Sequence, residues 1–268
     1  MHEDPPPSVV DTTDPEILPR PRPRGIYLIP NLLTTAALFF GFFAIVAAMG
    51  GRFEEAAIAI FVAMVWDSLD GRVARLTHTQ TAFGAEYDSL SDMVSFGLAP
   101  ALVVYVWALQ GLGKFGWLVA FIYAATAALR LARFNTQVGV EDKRYFQGLP
   151  SPSAAAIVAG LVWVAVAEGI DGAELRLLAL AITLLAGSLM VSNIRYYSFK
   201  DLDLRGRIPF VSLLLVIAVF VAIAMHPPQV LFAGFFLYAL SGPVLTLVTL
   251  RRRRAARRNS PGSDSPPG

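Results

Sequence analysis

The chain has 268 residues, of which 55% are hydrophobic and only 16% charged, with a mean hydropathy of +0.56. That much apolar surface exceeds what one soluble core can bury, so an ordinary soluble domain is excluded and an integral membrane protein is the default. The chain has no cysteine, which excludes disulfides and thiolate sites, and three scattered histidines (His2, His78, His226) argue against a histidine-based zinc site.

In chain order, residues 1–24 are polar and proline-rich and are expected to form a disordered cytosolic tail. No cleavable signal peptide is expected there, because the segment is Pro- and Asp-rich rather than basic and then apolar. Apolar runs then predict helices over 29–50, 53–75, 82–109, 114–134, 152–168, 173–193, 208–226 and 228–250. Each is judged against the roughly 20 apolar residues that a span requires. Their unbroken apolarity argues for helices rather than for barrel strands, which would alternate. The expected fold is all-α, a polytopic membrane helical bundle of about eight transmembrane helices. Residues 25–201 form its six-helix core, 202–250 an added hairpin, and 251–268 a basic, disordered cytosolic tail.

Basic residues set the orientation. Arg20, Arg22, Arg24, Arg72, Arg75, Arg130, Arg133, Lys143, Arg144, Arg195, Lys200, Arg205, Arg207 and the run beginning at Arg251 fall on one side. Only Arg52, Lys114 and Arg176 fall on the other. The asymmetry places both termini on the cytosolic side of the inner membrane, as an even number of spans requires. The terminal arginine run follows a membrane helix directly, so it reads as an anchor to anionic headgroups rather than as a nucleic-acid patch.

The second and third spans carry four aspartates, Asp67, Asp70, Asp88 and Asp92. Acids bordering hydrocarbon are costly and usually functional. At helical spacing each pair shares one face, so two adjacent helices aim four oxygen donors at one point. Hard divalent cations prefer such ligands. Gly71, Ala74 and Gly84 lie among the acids, where small residues serve either close helix packing or the approach of a ligand to the backbone. His78, between the two helices, has no sequence partner and reads as a solvated loop residue.

The pattern Asp67-x-x-Asp70-Gly71-x-x-Ala74-Arg75, followed by Gly84-x-x-x-Asp88-x-x-x-Asp92, resembles the complete signature of the CDP-alcohol phosphatidyltransferase family. The resemblance implies that the four aspartates surround one or two divalent cations (Mg²⁺, Mn²⁺ or Ca²⁺) that grip the pyrophosphate of CDP-diacylglycerol. Asp67, Asp88 and Asp92 would carry the catalysis, with Asp92 as general base, as a metal ligand, or as both. Gly71, Ala74 and Gly84 would line the cytidine side, and Arg75 would support the acids or the phosphates. Asn31, after Pro30 and before Thr34, would face the nucleotide; a polar helix-packing contact is its other reading.

The acceptor is argued from other phrases, namely Ser95-Phe96-Gly97 after Asp92, Arg130-Leu-Ala-Arg133-Phe134-Asn135, Phe146-Gln147-Gly148-Leu149-Pro150-Ser151-Pro152-Ser153, and Ser192-Asn193-Ile-Arg195-Tyr196-Tyr197. Over residues 25–201 these resemble the membrane-embedded bacterial and archaeal branch of the family that uses L-serine. Arg130 and Arg133 share a helix face and suit a carboxylate or a phosphate, or else are simply cytosolic-side charges. Ser151 before Pro152 reads as a helix N-cap, whose helix start either holds an anion or is merely capped. Other acceptors within the family are glycerol 3-phosphate, an inositol phosphate or choline. Outside it, a cation transporter would need acids at mid-bilayer between broken helices. A homodimer is expected by resemblance, and no nucleic-acid partner is expected.

Overall fold

The computed structural model describes residues 28–77, 79, 81–137, 145–197 and 210–259. The two terminal tails as far as 24 and from 260, His78, and the basic residues Lys143, Arg144, Lys200, Arg205 and Arg207 lie outside the described residues. Among the described residues the chain forms eight helices: α1 (Leu28–Met49), α2 (Phe53–Leu76), α3 (Ala82–Leu112), α4 (Lys114–Gln137), α5 (Ser151–Ala167), α6 (Arg176–Val191), α7 (Phe210–Met225) and α8 (Pro227–Asn259). Leu28–Met49, Ala82–Leu112, Lys114–Thr136 and Pro227–Leu247 are long and apolar enough to cross a membrane. Ser151–Ala167, Arg176–Val191 and Val211–Met225 are shorter apolar helices.

Small residues let these helices approach closely, the usual solution where no hydrophobic effect drives helix against helix. Along α1 the buried face is Thr34, Ala37, Gly41 and Ala44, at helical spacing. Against it Ser91 and Ser95 of α3 donate to the carbonyls of Thr34 and Ala37 at 3.2 and 3.1 Å. Helix α5 is the central post, buried almost all round from Ser151 to Ala165 and packed against α2, α6 and α8. A helix apolar on every side is what a position inside the bundle requires.

Two features shape the region after Asp92. Met93–Leu98 and Tyr105–Leu109 form wide turns within α3, where Ala99 N–H reaches back to Val94 O. Pro100 has no N–H, so it leaves the carbonyl of Phe96 without its usual donor four residues on. The fully buried Tyr123 of α4 supplies one, its hydroxyl donating to Phe96 O at 3.2 Å.

Three details differ from the sequence reading. A short antiparallel ribbon joins β1 (Tyr145–Gln147) to β2 (Arg195–Tyr197), pairing Gln147 with Arg195. Its residues are too few for any periodicity to announce a strand. The helical backbone of α8 runs through Arg251–Arg254 to Asn259, where a disordered tail was expected, because Ala and Arg are good helix formers. Ser151 is not the cap of α5: Pro150 occupies that position and Ser151 is the first helical residue, with its side chain turned to another partner.

Candidate active site

Helices α2 and α3 bring the aspartates together from two directions. One oxygen each from Asp67, Asp70 and Asp88 lies within 4.8 Å of the other two. Asp67 and Asp92 also interact with each other, which joins Asp92 to the group. Asp70, 5% exposed, accepts a hydrogen bond from the hydroxyl of Thr34 at 2.7 Å. Thr34 has one hydroxyl proton and a second acceptor, the Pro30 carbonyl, at 3.1 Å. The shorter contact to a carboxylate is the stronger of the two.

Asp88 Oδ1 is buried without a hydrogen-bond partner among the described residues. A carboxylate oxygen left bare at such a place is costly unless a proton or cation meets it. With oxygen donors only and no histidine or cysteine in the cluster, the three-aspartate group can hold a hard divalent cation.

Beside the acids opens a cleft of roughly 280 Å³, bounded by α1, α2 and the start of α3. It is lined by Asn31, Thr34, Asp70, Gly71, Ala74, Arg75, Thr79, Thr81, Gly84 and Asp88, with Pro30 and Ala85 completing the wall. The sequence-predicted Asn31, Gly71, Ala74, Arg75 and Gly84 therefore share one cleft with Asp70 and Asp88. Thr81 caps α3, accepting from Gly84 N–H at 3.0 Å, and so fixes where Gly84 meets the cleft. A side chain at position 84 would begin 3.5 Å from Asn31 Oδ1 and 3.1 Å from Thr81 Oγ1, so the glycine keeps this wall open.

Arg130, Arg133 and Ser151 are absent from that lining. Arg130 interacts electrostatically with Asp92 and Asp67 and donates to Ser151 Oγ at 2.7 Å. Its buried Nε has no hydrogen-bond partner among the described residues. Arg133 Nη2 donates to Gln147 Oε1 and, at 3.0 Å, to Asn193 Oδ1. The arrangement thus has a cleft lined by Asp70 and Asp88, with the Arg130 guanidinium near Asp92 and Asp67 but outside that lining.

Residues 27–192 match the sequence profile of CDP-alcohol phosphatidyltransferase, which is more than half of the chain. The chain belongs to that family. A Helicobacter pylori protein named CDP-diacylglycerol–serine O-phosphatidyltransferase is 36% identical over 217 residues, covering 81% of this chain and 90% of its own length. A protein of the same name from Mycobacterium tuberculosis is 38% identical over 152 residues, or 53% of this chain and 52% of its own. Another from Methanocaldococcus jannaschii is 37% identical over 142 residues, or 53% and 63%.

In this member of the CDP-alcohol phosphatidyltransferases, the family match takes in α1 to α6, while β2, α7 and α8 follow it. Several site neighbours escaped the sequence reading. Thr34 as the donor to Asp70 lies 36 positions away in the chain, and nothing in a run of apolar residues marks it. Gln147 and Asn193 as partners of Arg133 sit in connections whose pairing only the ribbon reveals.

Proposed function

We propose that this enzyme transfers the phosphatidyl group of CDP-diacylglycerol to L-serine, forming phosphatidylserine and releasing CMP. The observation that carries the reading is the clustering of three signature aspartates beside a cleft lined by the signature's small residues and Arg75. The names of the relatives support serine as the acceptor.

In this reading Asp67, Asp70, Asp88 and Asp92 hold Mg²⁺ or Mn²⁺. When bound, the cation neutralises pyrophosphate charge and stabilises the departing CMP. The cleft takes the nucleotide: Gly71, Ala74 and Gly84 leave room for it against the backbone, Asn31 offers polar contact, and Arg75 faces the phosphates. Arg130, with Ser151 beside it, and Arg133 supply positive charge for the serine carboxylate, which a guanidinium fork suits. Asp92 accepts the serine hydroxyl proton as that oxygen attacks the lipid-bearing phosphorus, and the bond from phosphorus to the CMP oxygen breaks. The four aspartates lie at the cytosolic face of the inner membrane, where nucleotide and serine arrive while the acyl chains stay in the bilayer. All eight helices cross that bilayer, and the enzyme works as a homodimer.

The test is CMP release by the purified protein with CDP-diacylglycerol and Mg²⁺ or Mn²⁺. Release is expected on addition of L-serine and not without an acceptor. Release with glycerol 3-phosphate but not with serine would overturn the acceptor assignment and leave the donor chemistry standing.

A further inference from the structure

Helix α8 contains Pro243 in its interior. A proline there has no N–H, and its ring pushes away the carbonyl four residues earlier, which is that of Ala239. Within a membrane bundle such a freed carbonyl is satisfied by a neighbouring group. Here the donor is the hydroxyl of Tyr196, 3.0 Å from Ala239 O. Tyr196 belongs to β2 and is fully buried. A Cβ on Gly242 would stand 2.5 Å from the Tyr196 ring, so only glycine lets the ring sit this close to α8. The ring of Tyr238 closes the seat, its centroid 5.6 Å from that of Tyr196. Ala239, Gly242 and Pro243 thus make a notch matched to one tyrosine.

We propose that α8 is a positioning element for the acceptor side of the site, acting through this notch on Tyr196. Tyr196 pairs with Phe146 in the ribbon, and the neighbouring pair joins Arg195 to Gln147. Gln147, the last residue of β1, and Asn193, two residues before β2, accept from Arg133. The same turn continues through Gly148 N–H to Ile194 O at 2.9 Å and Leu149 N–H to Leu189 O at 2.9 Å, and so into Ser151, the partner of Arg130. Holding Tyr196 therefore holds the residues that orient both arginines. A segment beyond the family match thereby governs how the acceptor is bound. The cytidine cleft, formed by α1, α2 and α3, has no residue from α8 in its lining.

The proposal rests on the acceptor reading above, so one measurement is chosen that does not. Tyr196→Phe removes only the hydroxyl, and Pro243→Ala returns an N–H that competes for Ala239 O while Tyr196 stays intact. Each variant is expected to speed amide exchange across 145–149 and 194–197 by about two- to tenfold, the factor for loss of one net hydrogen bond. Each is also expected to raise the KM for L-serine by about the same factor. The KM for CDP-diacylglycerol and the kcat at saturating serine should stay within about twofold, and Gln229→Ala, at the other end of α8, should change none of these. Unchanged ribbon exchange and unchanged serine KM in both variants would overturn the proposal. So would a parallel loss of kcat and of both KM values, which would make α8 a general support. If the wild-type chain uses another alcohol, the serine reading fails, and the exchange rates together with the KM for that alcohol decide the notch.

Discussion

The bond from Thr34 to Asp70 offers the sharpest perturbation of the carboxylate cluster. Thr34→Val keeps the shape of the side chain and deletes the donor. Both residues are almost fully buried, 4% and 5% exposed, so water cannot easily replace the lost hydrogen bond. A hydrogen bond to a charged group contributes about 1.5–3 kcal/mol, and leaving its partner unsatisfied in a buried place costs a similar amount. The corresponding weakening of cation binding is about 10- to 100-fold, the range seen when a group that orients a metal ligand is removed. The assay is the Mg²⁺ or Mn²⁺ dependence of CMP release, accompanied by calorimetric titration of the protein with the metal alone. The half-saturating metal concentration should rise by that factor while activity at saturating metal largely returns. Thr34→Ser, which restores a hydroxyl, should recover most of the affinity. If Thr34→Val binds metal as wild type does, Asp70 is not a ligand oriented by this bond and the reasoning fails.

Two further outcomes follow from single residues. Asp92→Asn is nearly isosteric and should cut CMP release by about 10²- to 10⁴-fold, the contribution of a general base, with the protein still inserted in the membrane; retained turnover in a chain assay at saturating metal would remove Asp92 from that role. Gly148→Ala should destabilise the chain by more than the roughly 1–2 kcal/mol that a left-handed backbone costs an L-residue. Gly148 has φ +77° and its added Cβ would stand 2.2 Å from Met190 O. A thermal unfolding midpoint in detergent equal to that of wild type would show that the turn gives way without cost.

Much of the bundle was legible because membrane helices announce themselves by length and continuous apolarity. The predicted run 114–134 appears as Lys114–Gln137, and 29–50 as Leu28–Met49. The signature residues were legible for a related reason: Asp67 and Asp70, or Asp88 and Asp92, share a helix face by spacing alone. Ser151 misled because a serine before a proline is a good cap locally, whereas its hydroxyl meets Arg130, 21 positions away in the chain. That Pro100 and Pro243 each free a carbonyl for a tyrosine depends on which element lies alongside, α4 in one case and β2 in the other.

By itself the sequence determined the membrane character, the helical elements and the acids that belong to one chemistry, since these depend on composition and on a period of 3.6 residues. Tertiary structure decided which of the other residues share a cleft with the carboxylates. Asn31, Gly71, Ala74, Arg75 and Gly84 line one cleft, while Arg130, Arg133 and Ser151 lie outside its lining, with Arg130 bonded to Ser151. It also decided that Tyr196 is buried against α8. Such pairings join residues tens of positions apart through single hydrogen bonds, and no local pattern encodes a partner on another helix.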